Sequence, residues 1–383
     1  MNWIRFTGYL FILLVALLLL EILSFSSINF LQQKYNSLIF DPKLIVNFKA
    51  SESDNYSNDL GWIIPKAERD EIGARLNNDI YKTTCVDMFG DSFTFSAEVK
   101  KEFAWPKQLS TILGCKVNNF GVKGYGSDQA VLRHELTIAF SKVSVLNHLS
   151  ENIIRNVNQF RNLIYPSRNS KIITKPRYYL TPDEKLILIK KPDLLEEDLK
   201  NLENLRSKLK YEYFLPEAQS GIKMDIKFPY FLSAIDLVIH HFHIRPKIKG
   251  QTRHSEFYDY SHPSNGLPLT NKIFDKFISN SDNKGQIPII TIIPTCRDLE
   301  EFKRYGKLPY QVMLDSLRSK GILFYDFSSA FLNEQDFYKY FSSCSGHPNK
   351  DGYALMAKNF ANFLSKHKKI LAIHIPKIYD LSS

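Results

Sequence analysis

Three short apolar runs, Thr84–Gly90 (TCVDMFG), Cys115–Gly121 (CKVNNFG) and Lys142–Asn147 (KVSVLN), alternate with stretches of helical periodicity. Each run is too short for a core helix and is bounded by turn residues, so each reads as a buried strand. Trp105–Leu113 follows the first, with Pro106 near its start and Leu and Ile at helical spacing. Ser127–Phe140 follows the second, with Ser or Asp at its N-cap, and Ser150–Phe160 follows the third. Strands joined through helices run parallel, with right-handed crossovers. The alternation resumes with Gln286–Thr295, a helix from Leu308 to Ser319, Ile322–Phe327 and a last helix from about Asp351 to Lys368. The expected fold class is α/β: a doubly wound, five-stranded parallel sheet.

Between Arg161 and about Gly285 the regular alternation lapses. PRYYL and KLILI flank Thr181-Pro-Asp-Glu184 as a hairpin, Leu194–Leu209 reads as a charged helix, and Tyr230–His243 is apolar but too short to span a membrane. The expected division is an anchor over 1–27, a polar lead-in over 28–82, an α/β core over 83–160 and 286–370, a mixed insertion forming a cap or wall over 161–285, and a tail over 371–383. No internal repeat is visible.

The stretch from Trp3 to Phe25 is almost wholly apolar, with Arg5 ahead of it and Glu21 the only charge in its later part. It is about long enough to cross a bilayer core of roughly 30 Å. Arg5 on the short leading side keeps that end in the cytoplasm and exports the rest. A cleaved signal peptide is the alternative. No Ala-x-Ala site follows, however, and the run exceeds a usual signal core. The 50 Lys and Arg against 40 Asp and Glu give a net charge of +10, which suits acidic polysaccharide or anionic headgroups. No zinc-finger spacing, long basic run or RNP-like aromatic motif accompanies it, so nucleic acid is not an expected partner.

Four sequence blocks fall at the ends of the expected strands. Gly90-Asp91-Ser92 closes the first strand, at the carboxyl edge where open α/β sheets bind ligands. Gly121, Gly124 and Gly126 follow the second strand and let backbone N–H groups approach an anion. Asn152 follows the third strand with an amide able to donate to an oxyanion, and His347 lies in a Pro/Asn/Gly loop before the last helix. Each alone is an ordinary turn feature. In this order they resemble the SGNH/GDSL hydrolase superfamily, closest to membrane-anchored bacterial proteins whose first block reads Gly-Asp-Ser-Phe. The resemblance covers about Thr84–Asn158 and Pro288–Leu364 and implies a flavodoxin-like sheet.

It further implies roles. Ser92 would be the nucleophile and His347 its general base, with the Ser92 and Gly124 N–H groups and the Asn152 side chain as oxyanion donors. Asp91 would pin the turn. The superfamily usually places Asp three residues before the His, where this chain has Cys344. A thiol cannot replace a carboxylate, so Asp326, ending the last strand, is a substitute orienter, a dyad being the alternative. Cys296 ends the fourth strand at the same edge as Cys344. Cys85 and Cys115 start neighbouring strands at similar offsets. Two disulfides, Cys296–Cys344 and Cys85–Cys115, are therefore the expectation for an exported domain, against four buried thiols.

The implied activity is an esterase acting on O-acyl or O-acetyl groups of cell-envelope glycans or lipids. An O-acyltransferase with the same nucleophile, or a non-catalytic polysaccharide-binding subunit, is the alternative. No cofactor or metal is expected. The expected setting is the bacterial inner membrane, single-pass, with the catalytic domain on the periplasmic side.

Overall fold

The structure, a computed structural model, describes residues 3–35, 55–77, 80–138, 141–165, 172–200, 202–215, 227–241 and 244–367. The expected tail and residues 36–54 of the lead-in lie outside them. The chain forms two compact units: one of Met1–Ser51, Phe160–Thr174 and Pro192–Lys249, the other of Glu52–Gln159, Lys175–Lys191 and Gly250–Ser383.

In the first unit, helix α1 runs Trp3–Tyr35 without interruption. Its stretch Phe6–Phe30 is 25 residues long and exposed over nearly its whole surface. At 1.5 Å per residue that is about 37 Å, enough to cross a bilayer. No other described helix is long and apolar enough to do so. Tyr230–His241 is also helical and packs along α1.

The second unit is built on five parallel strands: β1 (Thr84–Gly90), β2 (Lys116–Gly121), β3 (Val143–Leu149), β4 (Ile287–Ile293) and β5 (Phe324–Asp326). Their order is β2-β1-β3-β4-β5. Met88 lies opposite Asn119 and Val145, and Ile292 opposite Asp326. The fold is a doubly wound, five-stranded parallel α/β sheet.

Ten helices carry labels: α1 above, α2 (Ser92–Phe95), α3 (Trp105–Leu113), α4 (Ser127–Leu136), α5 (Asn152–Asn156), α6 (Gly266–Asn283), α7 (Cys296–Tyr305), α8 (Gln311–Ser319), α9 (Ser328–Leu332) and α10 (Lys350–Lys366). Strand residues point alternately to opposite faces. Val86, Met88, Val117 and Val145 meet Trp105 and Leu109 of α3 and Phe360 of α10 in one core. The intervening Phe89 stacks on Phe120 at 4.8 Å and meets His134 of α4 at 4.9 Å. His134 in turn lies 4.9 Å from Phe277 of α6. Helices thus cover both faces.

Three expectations are corrected here. The first concerns the lead-in, which is not simply a polar stalk. Trp62 Nε1 donates to the Lys123 carbonyl at 2.8 Å, Tyr125 donates to the Trp62 carbonyl at 2.7 Å, and Gln129 Nε2 donates to the Leu60 carbonyl at 2.8 Å. Few large apolar residues carry this packing, so hydropathy did not show it. The second concerns the insertion, where α6 supplies the crossover helix of the β3–β4 connection. Leu269, Ile273 and Phe277 recur every fourth residue and are buried, a spacing that interleaved polar residues obscure. The third concerns α5, which is a five-residue helix, Asn152–Asn156, rather than one over Ser150–Phe160. The hairpin forms as Arg177–Leu180 against Leu186–Ile189.

Candidate active site

The loops after β1, β2 and β3 and the segment before α10 carry the four sequence blocks. After Gly90 the chain turns at once into α2. Asp91 caps it, accepting the Phe93 N–H at 2.9 Å, which places Ser92 at the first helical position with 7% of its surface exposed. This turn presses on the end of β2, where a β-carbon at Gly121 would collide with the Phe95 backbone nitrogen. Glycine is required there by close approach.

The chain leaves α2 through two non-glycine residues in the left-handed region, Ser96 at φ 60° and Glu98 at φ 70°. Such conformations persist only where the surroundings hold them. Here the Trp105 N–H donates to Ser96 Oγ at 3.1 Å and Trp105 Nε1 to the Phe93 carbonyl at 3.0 Å. The Arg75 guanidinium donates to the Phe95 and Ser96 carbonyls. The reversal carries Glu98 back beside the turn that bears Ser92.

His347 arrives from the other end of the sequence. The Ser342 N–H donates to the His347 carbonyl at 3.0 Å, and Asn349 caps α10 by accepting the Asp351 and Gly352 N–H groups at 3.0 Å. The loop is tied to the start of α7 by the Cys296–Cys344 disulfide, with Cα atoms 4.9 Å apart, and by Arg297 donating to Ser345 Oγ at 2.8 Å. A second disulfide joins Cys85 to Cys115 at the other end of the sheet, with Cα atoms 5.9 Å apart.

These paths meet in one constellation. His347 Nε2 lies 2.9 Å from Ser92 Oγ, and His347 Nδ1 lies 2.8 Å from Glu98 Oε1. Ser342 Oγ sits 2.9 Å from Glu98 Oε2, and the Phe93 ring flanks the imidazole at 4.8 Å. A carboxylate accepts but never donates, so the ring proton belongs on Nδ1 and Nε2 turns its lone pair to the serine hydroxyl. The hydrogen bond from His347 holds the Glu98 carboxyl below the usual carboxylate range.

Beneath Ser92, Asp91 is fully buried, and burial pushes its carboxyl up against the opposing pull of Arg155. Arg155 Nη1 lies 3.0 Å from Asp91 Oδ2, from the Tyr125 carbonyl and from Asn152 Oδ1. One guanidinium thus ties the turn that bears Ser92 to the Gly-rich loop and to Asn152. Gly124 adopts φ 82°, which suits glycine.

Asp326 is corrected as the orienter. Its oxygens accept from the Ser328 N–H at 3.0 Å, the Ser328 hydroxyl at 2.5 Å and the Tyr310 hydroxyl at 3.2 Å, so it serves the start of α9. Glu98 is the site residue the sequence did not reveal. Six positions after Ser92, in the same block, it was an available carboxylate. Its approach depends on left-handed backbone that sequence patterns do not show.

No family model matches the sequence, and no curated protein does. Among solved structures, the chain is similar to one described as a candidate lipolytic protein of the G-D-S-L family from Desulfitobacterium hafniense. The overlap covers 73% of this chain and 99% of that one, at 14% identity and a TM-score of 0.35. The sheet order and the strand connections by themselves place the second unit among doubly wound α/β folds.

Proposed function

We propose that the protein is an SGNH-type serine esterase. One observation carries this: Ser92, His347 and Glu98 form a continuous hydrogen-bonded chain at the carboxyl edge of the sheet. His347 Nε2 takes the Ser92 proton as Oγ bonds to an ester carbonyl carbon. The resulting imidazolium is stabilised by Glu98. Negative charge on the carbonyl oxygen meets the Ser92 and Gly124 N–H groups and the Asn152 amide, each worth about 3 kcal/mol when preorganised. The C–O bond breaks, the alkoxide departs with the proton from His347, and the acyl group stays on Ser92. Water, activated by the same His347, then releases the acid and restores the serine. A sugar hydroxyl in place of water would make the protein an O-acyltransferase.

The proposed substrates are O-acyl or O-acetyl esters of cell-envelope glycans or lipids. An exported domain behind a retained anchor in a bacterial inner membrane would meet them, and a net charge of +10 suits acidic glycans. A purely binding scaffold drew its motive from Cys344 standing where an acid is usual. Cys344 is engaged in a disulfide and Glu98 fills the acid position, which favours catalysis. The test is hydrolysis of acetylated sugars and generic aryl esters by the full chain. Ser92→Ala should lower kcat by about 10⁴-fold or more. Equal turnover by both proteins would reject the assignment.

A further inference from the structure

We infer that the segment Phe228–Ile235 rests in the outer boundary of the bilayer beside the exit of α1, giving the chain a second contact with lipid. The inference rests on α1 as a membrane anchor and concerns only the unit that contains it. Glu21 is the sole charge in the later part of the apolar run, an unfavourable place for a carboxylate unless it has a partner. The structure supplies one: the Tyr230 N–H, at the start of the helix Tyr230–His241, donates to Glu21 Oε2 at 2.6 Å. One turn further along α1, Phe25 meets the Tyr230 ring at 4.8 Å. On α1, Glu21, Ser24 and Ile28 recur at helical spacing and, with Asn29, are the shielded positions among otherwise exposed neighbours.

The outer surface of the second helix is as apolar as that of the anchor it touches. Phe228 is 71% exposed, Leu232 49% and Ile235 48%. On α1 the adjoining Leu23 and Phe25 are 63% and 46% exposed. The two apolar surfaces are continuous, and lipid is the occupant that covers both. Glu21 and Phe25 lie in the trailing half of Phe6–Phe30, so this contact falls beyond the membrane centre, toward the headgroups on that side. The charges around the segment agree. Lys227 precedes it and is exposed, and exposed Lys249 follows, where lipid phosphates accept cations.

All four native cysteines are in disulfides, so a single added thiol reports its own position. Phe228→Cys and Leu232→Cys, in the full chain reconstituted into liposomes of phosphatidylglycerol and phosphatidylethanolamine, are compared with Leu14→Cys inside α1 and exposed Ser319→Cys in the other unit. The two segment thiols should react with a membrane-impermeant maleimide about tenfold more slowly than Ser319→Cys, because thiolate formation is disfavoured out of water. Nitroxides there should be relaxed by oxygen in preference to a polar nickel complex. Labelling as fast as at Ser319→Cys, or protection from oxygen and nickel alike, would overturn the inference while Leu14→Cys stays lipid-exposed. Rapid labelling of Leu14→Cys would instead remove the anchor itself.

Discussion

In the proposed mechanism Glu98, 2.8 Å from His347 Nδ1, decides how well the site works. Without an acid, His347 has no fixed tautomer, and the form that carries its proton on Nε2 cannot accept the Ser92 proton. The side chain of Glu98 is half exposed, at 50%, so water partly compensates its loss. Glu98→Gln should therefore lower kcat by about 10²-fold, below the roughly 10⁴-fold loss known for a buried triad acid, with the Ser92–His347 contact intact; steady-state kinetics at neutral pH checks this. The pH dependence follows from the sign of the shift. The folded carboxyl titrates below its usual 4.5, so its contribution is complete above that value and disappears as pH falls through the lower folded one. The acid limb of kcat/KM should contain this step in the wild type and lack it in Glu98→Gln. Ser92 and His347 were legible because each sits in a short, ordered block of distinctive residues. Glu98 was not, because its position depends on left-handed backbone at Ser96 and Glu98 and on Trp105 and Arg75 packed behind it.

At the scale of elements, the His347 loop has little apolar anchorage of its own. Its position depends on the cap at Asn349 and on the link from Cys344 to the start of α7. Replacing both Cys296 and Cys344 with Ser should cost about 2–4 kcal/mol in stability and lower kcat more than it raises KM, because Ser92 and the proposed oxyanion donors stay in place while His347 drifts. Replacing Cys85 and Cys115, at the opposite end of the sheet from Ser92, should cost a similar amount and leave kcat/KM within about twofold. Paired denaturant melts and kinetics separate these outcomes. The strands were legible because each is a dense apolar run ending in a turn. α6 and α7 were missed for a physical reason: their exposed faces are so polar that the buried positions read as scattered. Asp326 illustrates the same limit, since a carboxylate at the right strand end is taken up by Ser328 and the Tyr310 hydroxyl instead of His347.

At the scale of the whole molecule, buried histidines set the response to acid. Burial lowers His134 to about 4 and His148 to about 3. His134 sits between aromatic rings, and His148 lies between the Ser127 and Tyr258 hydroxyls at 2.7 and 2.9 Å. Both stay neutral in the fold while the unfolded chain takes up protons near 6.5, so stability is full above that pH and declines below it. His254 opposes this. Burial disfavours its charge, yet Asp298 at 2.7 Å raises it overall, and its contribution is complete below 6.5. Between pH 6.5 and 5 the loss should approach about 1.4 kcal/mol per unit for each of the two neutral histidines. Guanidinium melts should show that slope, and His148→Gln should reduce it. The central claim, that Ser92 is a nucleophile armed by His347 and Glu98, is tested most directly with a fluorophosphonate probe on the folded full chain. The account predicts one label per molecule on Ser92, none on Ser92→Ala, and labelling about a hundredfold slower in Glu98→Gln. Folded wild type that takes no label, or Ser92→Ala that labels equally, would contradict it.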